Sequence, residues 1–142
     1  MDMPSSDGPC VLAGVSLSVA SVVSEEIVEL STFYANVFDL NELAELRTDV
    51  FRGLDLGGVV LGFSPPIVYE LLKIDAWADA RGTKQYLTFE ASSAAEVERL
   101  CGSAVDRGAR LLHGPYETTY GSRQAVLADP EGNVFRINHF RS

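Results

Sequence analysis

The side chains best able to do chemistry in this sequence sit in two short alternating runs. In YLTFEA, the phenol of Tyr86, the hydroxyl of Thr88 and the carboxylate of Glu90 recur at every second position, and in NVFRIN, Val134, Arg136 and Asn138 do the same. A period of two puts each set on one side of a strand. A carboxylate such as Glu90 can accept a proton and a phenol such as Tyr86 can donate one. A guanidinium such as Arg136 can hold a carboxylate, phosphate or carbonyl by its planar fork. No Ser-His-Asp arrangement, phosphate-binding loop or dinucleotide fingerprint accompanies them. Cys10 and Cys101 are too far apart for a short-spaced metal cluster, and two cysteines make no disulfide framework, so a reducing compartment fits best. Cys101, on the apolar stripe of a helix, reads as a small core residue, and neither cysteine is given a role.

Two repeated sets of elements must position these groups. VSLSV, Val15 to Val19, alternates as a half-buried strand, with Val15, Leu17 and Val19 on one face and Ser16 and Ser18 on the other. Ser24 then precedes Glu25 and Glu26 as an N-cap with first-turn acids, and Ile27, Leu30, Tyr34 and Val37 form a helical stripe. The same order returns later. YLTFEA is followed by a Ser93–Glu96 capping box, a stripe of Val97, Leu100, Cys101 and Ala104, and Gly108 as a C-cap. After each helix come strand-like runs around a glycine turn, Phe51 to Phe63 and Arg123 to Ile137. The unit βαβββ thus occurs twice, as a duplication of one supersecondary unit. A flexible tail is expected over 1–10 and a single domain over 11–142. That domain comprises a module at 11–63, a linker at 64–83 and a module at 84–140. Pro66 precedes an apolar run in the linker and suits the start of a short helix there, making the segment a candidate lid or packing piece.

The chain has 142 residues, enough to bury a real core without staples. Eleven Lys and Arg against twenty Asp and Glu give a net charge of -9, which disfavours nucleic acid as a partner and would favour a cationic small molecule. The first residues carry an acid and no basic region. The apolar stretch behind them is broken by serines, so neither a signal peptide nor a membrane span is expected and the location is expected to be cytoplasmic.

The segments FYANVFDL (Phe33 to Leu40), LDLGGVVLGF (Leu54 to Phe63), RGARLLHGP (Arg107 to Pro115) and above all ADPEGNVFRI (Ala128 to Ile137) together resemble the vicinal oxygen chelate superfamily. That superfamily includes glyoxalases, extradiol dioxygenases, fosfomycin-resistance enzymes and bleomycin-resistance binding proteins. The resemblance covers about residues 11 to 140 and implies an α+β fold, two βαβββ modules forming a U-shaped mixed sheet with a concave pocket. Read without it, DPEGN is a hairpin turn that places strands and identifies no chemistry.

In metal-dependent members the ligands are typically His, Glu, His or Gln, and Glu. By local pattern the resemblance assigns their places here to Gly14, Gly62, Tyr86 and Arg136. Glycine has no side-chain donor, neutral tyrosine is an uncommon one, and a guanidinium brings positive charge, so no metal and no cofactor is expected. His113 falls in the loop before Gly114-Pro115, and His139, an odd number of residues past Arg136, should face the other way. The concave face would then display Ser16, Ser18, Tyr86, Thr88, Glu90, Val134, Arg136 and Asn138, with Leu17, Val19, Leu87, Phe89 and Ile137 packing beneath the helices.

Glu90 and Arg136 are the opposite charges of that set. They would either form a structural ion pair or serve a ligand, Arg136 gripping it and Glu90 accepting a proton, with Tyr86 donating one or hydrogen-bonding the pocket. Tyr69, Trp77, Tyr116 and Tyr120 lie in segments that rim the cavity in this family, and His113 and Arg123 are placed to reach over its mouth. In each case plain packing or solvation is the competing reading. The functional expectation is a metal-independent binding protein of the bleomycin-resistance type, sequestering an antibiotic or aromatic metabolite, as a homodimer by resemblance. The alternative is a metal-free isomerase or lyase of a small oxygenated metabolite, and third a metal-dependent glyoxalase or dioxygenase.

Overall fold

A computed structural model describes Gly14, residues 16–79 and residues 81–140. The chain divides into two compact units, one up to Asp79 and one from Ala80 onward. The expected tail at 1–10 and the opening Val15 of the expected first strand lie outside the described residues.

The first unit contains β1 (Val19–Val23), α1 (Ile27–Phe38), β2 (Arg52–Asp55), β3 (Val60–Ser64) and a short α2 (Val68–Leu71). Its sheet has the order β1-β3-β2, parallel between β1 and β3 and antiparallel between β3 and β2. The expected α1 stripe of Ile27, Leu30, Tyr34 and Val37 is buried and meets Leu54, Leu61 and Phe63. Tyr34 and Phe63 touch ring to ring at 5.7 Å. Removing side chains such as Leu61 and Phe63 entirely from water stabilises the unit by roughly 2–3 kcal/mol each.

Three expectations for this unit are corrected. The strand starts at Val19, not Val15, so Leu17 (67% exposed) and Val19 (39%) are not core, and Ser16 and Ser18 are exposed residues ahead of the strand. Pairing of Val19 with Val60 sets that start, and the partner lies far off in sequence. Ser24 is not the N-cap of α1. Glu26 holds that place, and the buried Ser24 accepts a hydrogen bond from the Glu26 amide, turning the chain into the helix. The first of the three strands expected after α1 is reduced to a single bridge between Glu42 and Leu54, flanked by Leu43 N donating to Gly53 O and Asp55 N to Asn41 O. Within the linker a short helix, α2, does follow Pro66, but it begins at Val68 with Ile67 as its N-cap, and a 3-10 turn at Asp75–Trp77 comes after it. Both leave apolar side chains exposed, among them Leu71, Leu72 and Trp77.

The second unit carries β4 (Leu87–Glu90), α3 (Ala94–Asp106), β5 (Arg110–Glu117), β6 (Ser122–Ala128) and β7 (Val134–Phe140). This is the full βαβββ repeat, with sheet order β4-β7-β6-β5. The expected Ser93 cap is present, its Oγ accepting from Glu96 N at 3.1 Å. Gly108, at φ 108°, ends α3 as expected. Val97, Cys101 and Ala104 of α3 cover Ala125, Leu127, Phe135 and Ile137, all buried. The DPEGN turn closes the β6–β7 hairpin, with Asp129 N donating to Asn133 O and Gly132 N to Asp129 O, each at 2.8 Å. Among the described residues no helix is long and apolar enough to cross a membrane.

Candidate functional site

Strand register decides which side chains of the second unit share a face. Thr88 pairs with Arg136 and Glu90 with Asn138 across β4 and β7, while Asn138 pairs with Gln124 and Arg136 with Val126 across β7 and β6. Tyr116 and His113 of β5 face Gln124 and Val126. All of these lie on the side of the sheet away from α3, because their immediate neighbours Phe135, Ile137, Ala125 and Leu127 are the ones buried beneath the helix. The parity expected for Tyr86, Thr88, Glu90, Arg136 and Asn138 is therefore found. His139 sits on the opposite parity, and its Nδ1 lies 2.9 Å from Ala91 O.

Hydrogen bonds tie this face into two groups. Arg136 donates from Nε to Thr88 Oγ1 at 2.9 Å and from Nη1 to Gln124 Oε1 at 3.2 Å, and its guanidinium lies 5.0 Å from the centre of the Tyr86 ring. Gln124 Oε1 also accepts from Tyr120 OH, and Gln124 Nε2 donates to Tyr116 OH at 2.6 Å. His113 lies against Tyr116 with ring centres 4.0 Å apart and the rings tilted by 50°. Separately, Glu90 accepts from Asn138 Nδ2 at 2.9 Å and from Phe140 N at 2.8 Å. The expected Glu90–Arg136 ion pair is absent among the described residues. Arg136 bonds instead to Thr88 of β4 and Gln124 of β6, and Glu90 to Asn138 and Phe140, with His139 Nδ1 4.0 Å from Glu90 Oε2.

Two more sequence expectations are corrected here. His113 is in β5 and not in a loop, since a bulge around Gly114 lets the strand continue to Glu117. Arg123 is on the α3 side of the sheet, where it donates from Nε to Glu98 at 2.9 Å, so it does not reach the face that carries Arg136. Tyr120 joins that face through Gln124. Ser16, Ser18, Tyr69 and Trp77 belong to the first unit. Gln124, only 3% exposed, is the residue that sequence reasoning missed. A lone amide between Arg123 and the apolar AVLA run, on the parity of Asn138 across the hairpin, was the available signal.

A cleft of about 380 Å³ adjoins this face, lined by Gly82, Thr83, Lys84, Gln85, Gly132, Asn133 and Val134. Val134 is two residues along β7 from Arg136 and shares its side. Cys101 is buried on the inner side of α3, and desolvation together with the nearby Glu98 pushes its thiol up, which suits a core residue and not a nucleophile.

The Glyoxalase/Bleomycin resistance protein/Dioxygenase superfamily sequence model matches residues 18–137. The chain belongs to this family. A crystal structure of a glyoxalase/bleomycin resistance protein/dioxygenase family enzyme from Burkholderia phytofirmans is 39% identical, covering 89% of this chain and 100% of its own, with a TM-score of 0.87. A glyoxalase-related enzyme from Fulvimarina pelagi (19% identity, 87% of each chain, TM-score 0.72) shares the fold. So does a lactoylglutathione lyase from Agrobacterium tumefaciens (19%, 87% and 92%, TM-score 0.64). No curated protein sequence matches the chain.

Glyoxalases and dioxygenases of this family raise the question of a metal, and the donor chemistry answers it for the places assigned. Gly62 has no side chain, and a Cβ there would meet the Phe51 ring at 2.8 Å, so the room for a longer ligand is already filled. Tyr86 lies against the Arg136 guanidinium, which brings a positive charge where a cation would sit. β1 opens after Ser18, an exposed hydroxyl, and not after Gly14. These residues do not fit a divalent cation. Among the described residues no group of three or more His, Cys, Asp and Glu could hold one.

Proposed function

We propose that the protein is a metal-independent small-molecule-binding member of the glyoxalase/bleomycin-resistance family, which sequesters an aromatic metabolite or antibiotic on the face carrying Arg136. One observation carries the reading: a half-buried guanidinium fixed by Thr88 and Gln124 and covered by Tyr86, with no carboxylate partner among the described residues. A desolvated cation without a counter-ion is costly unless a ligand supplies one. Tyr86 lies against it, Tyr116 and Tyr120 bond to the same Gln124 amide, and His113 adjoins Tyr116, rings that favour a flat, conjugated partner.

The alternative, a metal-free isomerase or lyase, would make Glu90 the base. Both oxygens of Glu90 already accept hydrogen bonds, from Asn138 and Phe140, which favours an anchoring role for this carboxylate and ranks binding ahead of turnover. Elemental mass spectrometry on protein purified without chelator or metal resin tests the first reading. Substoichiometric metal is expected, and near one metal per chain would overturn it. Glu90→Gln separates binding from catalysis. Ligand affinity is expected to persist, and a turnover present in the wild type and abolished in the variant would make the protein an enzyme.

A further inference from the structure

The chemistry of donors and acceptors fixes the direction of every hydrogen bond around Gln124. Arginine can only donate, so the Gln124 atom facing Arg136 must be its carbonyl oxygen, and the atom facing Tyr116 must be its amide nitrogen. Tyr120 must then donate to the same oxygen, and Tyr116 must accept. Accepting leaves the Tyr116 hydroxyl proton uncommitted, and no acceptor for it occurs among the described residues. Arg136 is in the same position. Nε and Nη1 are engaged, while the two N–H groups of Nη2 have no partner there. Gln124 is buried, and rotating its amide would set its NH2 group against the Arg136 donor, so the Arg136 contact alone fixes its orientation.

Gln124 stands opposite Tyr116 across β5 and β6, and Arg136 stands diagonal to it across β6 and β7. One buried amide therefore holds two free donors on one face of the sheet. We infer that Gln124 is a positioning residue that couples Arg136 to Tyr116, making guanidinium and phenol a two-donor clamp for an oxyanion carried by an aromatic ligand, a carboxylate or phosphonate. This rests on the proposed pocket and adds two things to it, the ligand's charged group and Tyr116 as a contact.

The chemistry calls for two variants. In Gln124→Glu, of nearly the same shape, a carboxylate would accept from Arg136, Tyr116 and Tyr120 together. It would give Arg136 an internal counter-ion and accept a hydrogen bond from the Tyr116 O–H, which is then no longer free for a ligand. Tyr116→Phe removes the phenol donor alone. The probes are benzoate and phenylphosphonate, with uncharged benzamide as control, titrated into the full chain while the Arg side-chain Nε and Tyr Cζ signals are followed by NMR. Both anions are expected to move the Arg136 and Tyr116 signals together, with benzamide at least about tenfold weaker. Benzoate affinity should fall about tenfold in Tyr116→Phe and further in Gln124→Glu. If anions move Arg136 but bind both variants within twofold of the wild type, the clamp is overturned and the pocket stands. If neither anion moves Arg136, both readings fall. Should Gln124→Glu fail to fold, Tyr116→Phe decides alone.

Discussion

Gly114 is where the β5 bulge passes over Gln124, and its replacement by alanine tests how tightly that strand is held. Its φ is 91°, and a Cβ would lie 2.7 Å from the Gln124 carbonyl oxygen and 2.8 Å from Tyr116 Cδ1. The first contact is backbone, so it cannot be relieved by turning a side chain. An L-residue at such a φ costs roughly 1–2 kcal/mol and an overpacked contact roughly 1–3 kcal/mol more. Gly114→Ala should therefore lose about 3–4 kcal/mol. At about 3 °C per kcal/mol for a chain of this size, the melting temperature should fall by roughly 10 °C. Gly132 supplies the control, since its φ is 87° and a Cβ there meets nothing within 4 Å. Gly132→Ala should show the conformational cost alone, about 1–2 kcal/mol. Urea unfolding of the three proteins, followed by circular dichroism, gives the difference. If the two variants lose the same stability to within about 0.5 kcal/mol, the close approach of β5 to Gln124 is wrong. The placement of Tyr116 beside Gln124 then falls with it.

Two smaller tests address charged residues. Arg123→Met should change stability by less than about 1 kcal/mol and leave benzoate affinity within twofold, because Arg123 pairs with Glu98 on the α3 side; a tenfold loss by calorimetry would return it to the binding face. The carboxyl of Glu42 is held below its usual range chiefly by the hydrogen bonds from Arg47, at 2.6 and 2.8 Å. A folded-state pKa below the unfolded value of 4.5 means that the pair's contribution is complete above that pH and is lost as pH falls through the lowered value. Arg47→Met should therefore be slightly less stable than wild type at pH 7, with the gap closing as the solution is made acid, by urea unfolding at each pH. A gap that widens in acid would reverse the assignment.

What could be read from the sequence was local. The α1 stripe from Ile27 to Val37, the DPEGN turn and the two-residue period of β4 and β7 each follow from neighbours in the chain, and the parity of Glu90, Arg136 and Asn138 followed with them. What escaped depends on partners far away. The period of VSLSV runs on into Ala20 and Val22, and only pairing with Val60 to Ser64 selects which part becomes β1. Gly114-Pro115 carries the signature of a turn, yet β6 on one side holds it inside a strand as a bulge. Arg123 stands where a loop meets the strand-like run to Ile137, and only the parity of β6, set by its pairing with β7, sends it to Glu98. Gln124 was passed over since its importance lies in three side chains that only the assembled sheet brings to it.

Asn138 adds a consequence for how a ligand would be found. Its Nδ2 serves Glu90, while its Oδ1, on a side chain only 2% exposed, has no hydrogen-bond donor among the described residues. Beside it stands a guanidinium that lacks a counter-ion. A face with one unmatched acceptor and one unmatched cation is folded below its best attainable stability, and whatever satisfies these groups raises it. Compound at a hundred times its dissociation constant adds about 2.7 kcal/mol to the folded state, several degrees of melting temperature. The proposed ligand can therefore be sought by heat alone, by melting the protein against collections of aromatic acids and ranking them by the upward shift.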